Sequence, residues 1–201
     1  LTTSLPTAAA EGVWSAAAAL FLGPGDPPPE RAALGFRVQD DWDGAPSTLP
    51  HADVMVALGP EVVWVGVDAP WGEAHAPAEP PGSLDGLWEY DVVELFLLGE
   101  GERYLELELG PCGHYLALEL EGRRQCRRRG APIAFQAARS GDRWAGLAAV
   151  PRDWLPPGPL RANAYTIHTV SGRRHYRAWT PVPGPSPDFH RLEAFPTVAL
   201  F

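Results

Sequence analysis

Residues 87–121, LWEYDVVELFLLGEGERYLELELGPCGHYLALELE, constrain the fold more than any other part of this 201-residue chain. They read as three strands joined by two tight turns. Val92 to Leu98 is an almost unbroken apolar run, as a strand in a sandwich core or one buried on both faces requires. Gly99-Glu100-Gly101-Glu102 supplies the first turn and Pro111-Cys112-Gly113 the second. Between them Leu105, Leu107 and Leu109 alternate with Tyr104, Glu106 and Glu108, and Leu116, Leu118 and Leu120 alternate in the third strand. Period-2 alternation broken by Gly and Pro turns is the pattern of an antiparallel meander with one face in the core. The opposite, polar face is expected to be wet and to carry function.

The rest of the chain repeats these signals. Val54 to Leu58 and Val62 to Asp68 flank Gly59-Pro60-Glu61 as a hairpin. Ile133 to Ala138, Trp144 to Val150, Arg161 to Val170 and Arg174 to Trp179 are further strands, with a last one near Thr197 to Phe201. Asp153-Trp154-Leu155 reads as a short turn. Roughly nine or ten strands without a long helix predict an all-β, two-sheet antiparallel sandwich of jelly-roll type. Residues 35–201 form that domain. Residues 1–34 are an Ala-rich, partly helical extension carrying Trp14, followed by the Pro-rich linker PGDPPPE, and pack on it. Pro70 to Gly86 is a loop long enough to be functional.

Charge narrows the partners. A net charge of -9 argues against nucleic acid, which needs a basic surface. The sixteen basic residues are all Arg, a compositional bias and not sixteen anion sites. GRRQCRRRG, residues 122–130, is the one basic cluster and reads as a solvated hairpin tip. Cys112 and Cys126 read as a buried thiol and a loop thiol, not as a disulfide framework. No apolar run reaches the ~18 residues of a membrane span, and Ala16 to Leu22 lacks the build of a signal peptide. The expectation is a soluble, cytoplasmic protein with no membrane partner.

Several motifs then occur in one order: VWVGVDAP, LWEYDVVELFL, YLELELGPCG, W-x-G-x-A-A-V-P and PDFHRLEAFPTVAL. Together they resemble the carbohydrate-binding-module family 9 type of β-sandwich, which is related to the DOMON domains. Asp41-Trp42-Asp43-Gly44, LWEYDVVE, ELGPCGHYLALEL and PDFH-LE-F more closely resemble an uncharacterised protein family with bacterial and animal members. The resemblance spans residues 36–201. In sugar-binding members the aromatic that opens W-x-x-D-x-V-E and a second in the penultimate loop sandwich a sugar ring. It implies Trp88 and Phe189 in those places, with Glu94 accepting hydrogen bonds from sugar hydroxyls. Aromatic faces suit the C–H face of a pyranose, and carboxylates suit its hydroxyls. Two departures stand out: Glu108 falls where a binding member has a basic residue, and the loop Trp is here Phe. His190, Trp179 and Trp71 are expected nearby.

The sequence reads as a non-catalytic sandwich that binds a small molecule, a saccharide before any other, through Trp88, Glu94, Phe189, His190, Trp179, Trp71 and Glu108. Structural alternatives place Trp88 in the core anchoring the long loop, pair Glu94 with Arg103 or Arg177, and let Phe189 and His190 pin the C-terminal loop. An enzyme alternative uses Glu94, Glu106 or Glu108, since Glu106 and Glu108 share a face with Cα atoms ~6.7 Å apart. A haem-binding alternative, as in some DOMON relatives, needs an axial His such as His114, His168 or His190. No cofactor is expected. Calcium, which occurs in related modules, has Asp68, Asp85 and Asp91 as candidate ligands. The histidines show no tight ligand spacing, although His168 and His175 face each other across a hairpin.

Overall fold

A computed structural model describes residues 7–21, 27–30, 32–73 and 75–199. Helix α1 (Thr7–Ala18) precedes β1 (Leu34–Val38), β2 (Asp40–Asp41), β3 (Ala52–Leu58) and β4 (Val62–Pro70). The meander supplies β5 (Val92–Leu98), β6 (Arg103–Leu109) and β7 (Tyr115–Glu121), followed by β8 (Cys126–Arg129) and β9 (Ala134–Ser140). Then come β10 (Arg143–Pro151), β11 (Arg161–Val170) and β12 (Arg173–Ala178). Two sheets form, a five-stranded one ordered β1-β3-β4-β10-β9 and a seven-stranded one ordered β2-β12-β11-β5-β6-β7-β8. Every pair within them is antiparallel. The two-sheet antiparallel sandwich read from the meander is the architecture observed.

Alternation decides what each face meets. On β4, Val63, Val65, Val67 and Ala69 point into the space between the sheets, where they meet Val93, Leu95 and Leu97 of β5 and Leu105, Leu107 and Leu109 of β6. On the other face of β4, Trp64 packs with Trp14 and Ala17 of α1. Gly66 lets the helix approach, because a Cβ there would lie 3.0 Å from the Ala17 Cβ and 3.1 Å from the Trp14 ring. Trp14 Nε1 donates to the Pro29 carbonyl at 2.7 Å, which ties the helix to the Pro-rich segment behind it.

The seven-stranded sheet is buried on its far side as well. Phe96, Tyr104, Leu116, Leu118 and Tyr165 form a second apolar layer there, covered by Val182, Phe189, Leu192 and Phe195 of the segment after β12. Prolines 181, 183, 185 and 187 keep residues 181–187 out of helix and ladder. The Val182 amide donates to Trp42 O and the Val198 amide to Leu160 O, so the segment is strapped down at both ends. This overturns the expectation of a wet face on the meander: Glu94, Glu106 and Glu108 all lie buried beneath the strap. A meander in isolation shows its polar alternation but not the segment that returns to cover it.

Other readings gain detail. Residues 122–130 are a turn followed by β8, an edge strand whose arginines are paired with acids: Arg127 with Glu121, Arg128 with Glu119 and Arg129 with Asp85. Charged side chains on an edge discourage pairing with a second sheet. Cys112 and Cys126 are free thiols, half-buried and exposed respectively. Thr197 bridges to Arg161, while residues 200 and 201 of the expected last strand, and residues 22–26 of the N-terminal segment, lie outside the described residues. No helix among the described residues is long and apolar enough to cross a membrane.

Candidate functional site

A cavity of about 390 Å³ opens on the strap side of the seven-stranded sheet. Its floor is Glu94 of β5 and Glu106 of β6, with Leu118 and Leu120 of β7 and Ile167 of β11 beside them. Pro187 to His190 close one side, and Trp88, Arg124 and Arg129 form the mouth. Trp88 sits on a single 3₁₀ turn, Leu87–Glu89, entered through Gly86 at φ 82°. Leu87 anchors that turn in the apolar layer, so the next side chain faces outward, and Trp88 is 38% exposed. It is therefore not a core aromatic. The Arg129 guanidinium lies 6.0 Å from its ring centroid.

The carboxyls on the floor are the unusual feature. Glu94 pairs in register with Glu108 across β5 and β6, and Glu106 lies two residues from Glu108 on the same face. Neither Arg103 nor Arg177 partners Glu94, as the sequence suggested. Arg103 is exposed, and the buried Arg177 donates instead to the carbonyls of Gln39, Leu49 and Pro50. Glu106 Oε2 and both oxygens of Glu108 have no hydrogen-bond partner. Burial pushes the Glu106 carboxyl up to about 8. Burial, then repulsion from Glu106, raises Glu94 well above its ordinary value; burial, then Glu94 and Glu106, does the same for Glu108.

His190 is held by a relay from the Arg-rich turn. The Arg124 amide donates to the Tyr104 hydroxyl at 2.9 Å, and that hydroxyl lies 2.8 Å from His190 Nδ1. A phenol that already accepts the amide gives its own proton to Nδ1. Nε2 then carries the imidazole hydrogen and faces Glu106 Oε2 at 3.8 Å. Burial, followed by the nearby Arg124 charge, lowers His190 to about 4, so the ring is neutral. Burial also pushes Tyr104 up to about 12. Asp188 fixes the strap by pairing with Arg123 and with Arg124, the latter at 2.9 Å.

Of the residues expected at the site, Trp88, Glu94, Phe189 and His190 come together. Phe189 stacks on Tyr165 with centroids 4.0 Å apart, so one ring face belongs to the core and only the remainder borders the cavity. Glu108 lies beside Glu94, at 0% exposure, and does not line the cavity. A Glu106–Glu108 pair is thus not placed to flank a bond in a substrate. Trp179 and Trp71 are elsewhere. Trp179 meets Phe36 edge-on at 4.9 Å against the inter-sheet core, and Trp71, just past β4 of the other sheet, lines a narrow crevice with Trp144 and His168. Arg124, Arg129, Tyr104, Tyr176 and Asp188 were not anticipated. In the sequence the arginines showed only as the cluster at 122–130, and Tyr104 and Asp188 only as members of motifs, without a role at the site.

The other candidates are dispersed. His168 and His175 do pair in register across β11 and β12, yet His168 Nδ1 faces Asp91 Oδ2 at 3.7 Å. His114 Nε2 lies 2.8 Å from the Glu79 carbonyl. Asp68 is paired with Arg143 and Asp85 with Arg129, while Asp91 accepts the His75 and Thr169 amides. These three acids do not converge on a calcium site. Among the described residues no group of three or more His, Cys, Asp or Glu is arranged to hold a metal ion.

No protein-family model matches the chain. It is 39% identical over 173 residues to the UPF0462 protein C4orf33 homolog of Mus musculus, covering 81% of this chain and 89% of that protein. The Homo sapiens UPF0462 protein C4orf33 is 37% identical, with coverage of 81% and 86%. Among solved structures, a candidate carbohydrate-binding protein from Bacteroides uniformis has a TM-score of 0.62 at 16% identity, covering 82% of this chain and 85% of that one. That likeness shows the fold. A family 9 carbohydrate-binding module from Caldicellulosiruptor kristjanssonii, in complex with cellotriose, has a TM-score of 0.47 at 12% identity, covering 72% and 73%.

Proposed function

This chain belongs to the UPF0462 family, and from that premise we propose that its sandwich binds a small saccharide in the cavity between Trp88 and the 187–190 strap, without breaking a bond. The observation that carries the reading is Trp88, an exposed indole over a cavity whose floor presents the carboxyls of Glu94 and Glu106, the latter with Oε2 unpartnered. An apolar ring face beside buried polar groups matches a sugar, which has a C–H face and a rim of hydroxyls. Protonated carboxyls both donate and accept, and the His190 Nε2–H adds a donor at the cavity edge. The Bacteroides uniformis neighbour, described as a candidate carbohydrate-binding protein, points the same way.

The test is intrinsic fluorescence and thermal shift against a panel of mono- and oligosaccharides, on the unaltered chain and on Trp88→Ala. A saturable response lost in a folded Trp88→Ala supports the reading. A flat response to the whole panel removes it.

A further inference from the structure

The cavity floor carries two carboxyls, Glu94 and Glu106, with Glu108 behind them, and no cation among the described residues is bonded to any of the three. Glu106, 4% exposed, lines the cavity with Oε2 unpartnered, and Glu108 behind it has both oxygens unpartnered. Buried carboxyls in that condition call for a group that brings charge and donors together. The neighbouring guanidiniums have their bonded partners elsewhere, although Arg174 Nε is itself buried without one. Arg124 pairs with Asp188, Arg129 with Asp85, and Arg174 with Glu89 and the Trp88 carbonyl. From the strap, neutral His190 offers a single N–H. Tyr104 spends its O–H hydrogen on His190. Arg124, Arg129 and Arg174 act on these carboxyls only through space, and no guanidinium among the described residues is bonded to them.

We propose that the site recognises a protonated amine on its ligand, and so takes an amino sugar or a similar polyhydroxylated amine whose ammonium seats on Glu106 and Glu94 beneath Trp88. This rests on the saccharide reading above and narrows it. A sugar hydroxyl brings one donor where an ammonium brings three, and charge-assisted hydrogen bonds are roughly twice as strong as neutral ones. Binding exchanges protons for the ligand cation: carboxyl protons leave to solvent as the ammonium takes their place.

Titration calorimetry of the purified chain near pH 7 tests this with glucosamine, glucose, N-acetylglucosamine and cyclohexylamine, in two buffers of different ionisation enthalpy. The expected result is glucosamine bound about tenfold or more tighter than the two neutral sugars. Its heat should depend on the buffer, reporting proton release, and the preference should vanish in Glu106→Gln. Proton release is read on the unaltered chain, so a Glu106→Gln that fails to fold leaves the test intact. Equal affinity for glucose and glucosamine without proton release overturns the ammonium seat and leaves the saccharide reading standing. Cyclohexylamine binding with proton release, while no sugar binds, keeps the seat and overturns the saccharide reading. No binding of any of the four overturns both.

Discussion

Glu94 and Glu108 stand directly opposite each other across β5 and β6, both buried, with no ion pair to either among the described residues. Side chains so placed have Cβ atoms only about 5 Å apart. Like charges at that separation disfavour each other, so the pair keeps its protons well into the pH range where exposed glutamates have lost theirs.

Stability should therefore fall as the solution is made more alkaline. A carboxyl whose folded pKa is raised contributes most below its unfolded value, near 4.5, and loses that contribution as pH climbs through the folded one, about 8 for Glu106. His51, His168 and His190 are lowered, so their contribution is present above 6.5 and lost as pH falls below it. The two sets oppose each other between 4.5 and 6.5, and above 6.5 the carboxyls act alone. From pH 6.5 to 8 the Glu106 proton alone accounts for roughly 2 kcal/mol. Chemical denaturation across that interval should show the decline, and Glu106→Gln should make it shallower while Glu94 and Glu108 keep the remainder. A pH-independent midpoint would count against protonated carboxyls on the floor.

The two aromatics of the site should separate in their effect on folding. Trp88 is exposed at the mouth, so Trp88→Ala should lower stability by about 1 kcal/mol or less. Phe189 is buried against Tyr165, and Phe189→Ala should lower it by about 3–5 kcal/mol. Urea unfolding of both variants distinguishes them; equal losses would mean that Trp88 is a packing residue after all.

Arg177 should be needed for folding and not for the ligand. The residue is 1% exposed and its guanidinium holds the carbonyls of Gln39, Leu49 and Pro50, which ties the β1–β2 junction to the loop between β2 and β3. Arg177→Met should cost about 3 kcal/mol or more by leaving those acceptors unpaired. Arg177→Lys should recover only part, since one ammonium does not span the fork. Denaturation midpoints of the three proteins provide the measurement.

Gly66 should control whether α1 docks. Any side chain there meets the Trp14 ring and Ala17, so Gly66→Val should lower stability by about 1–3 kcal/mol and free the helix. Limited proteolysis should then cut near α1 while the sandwich stays intact; an uncut helix would show that the contact is not what holds it.

Residues 87–121 carry the fold legibly because strand alternation is local: once Leu105, Leu107 and Leu109 choose the inter-sheet core, Glu106 and Glu108 must share the other face. Trp88, Glu94, Phe189 and His190 were legible as a group through the motifs around them. Arg124 and Tyr104 were not, because their roles depend on a hydrogen-bond relay between a turn and a strap 66 residues apart in the case of Arg124 and His190. Trp71 and Trp179 looked equivalent to Trp88 in composition, yet side-chain direction at a strand end is set by the neighbouring sheet.

By itself the sequence determined the antiparallel sandwich and the strands of the meander, since each follows from period and turn chemistry along the chain; the grouping of Trp88, Glu94 and Phe189 came from the resemblance of their motifs to a known family. Only the tertiary structure decided that the polar face of the meander is buried. The strap of residues 181–198 folds back over it, and protonation then follows from burial, because a carboxyl removed from water keeps its proton unless a cation comes with it.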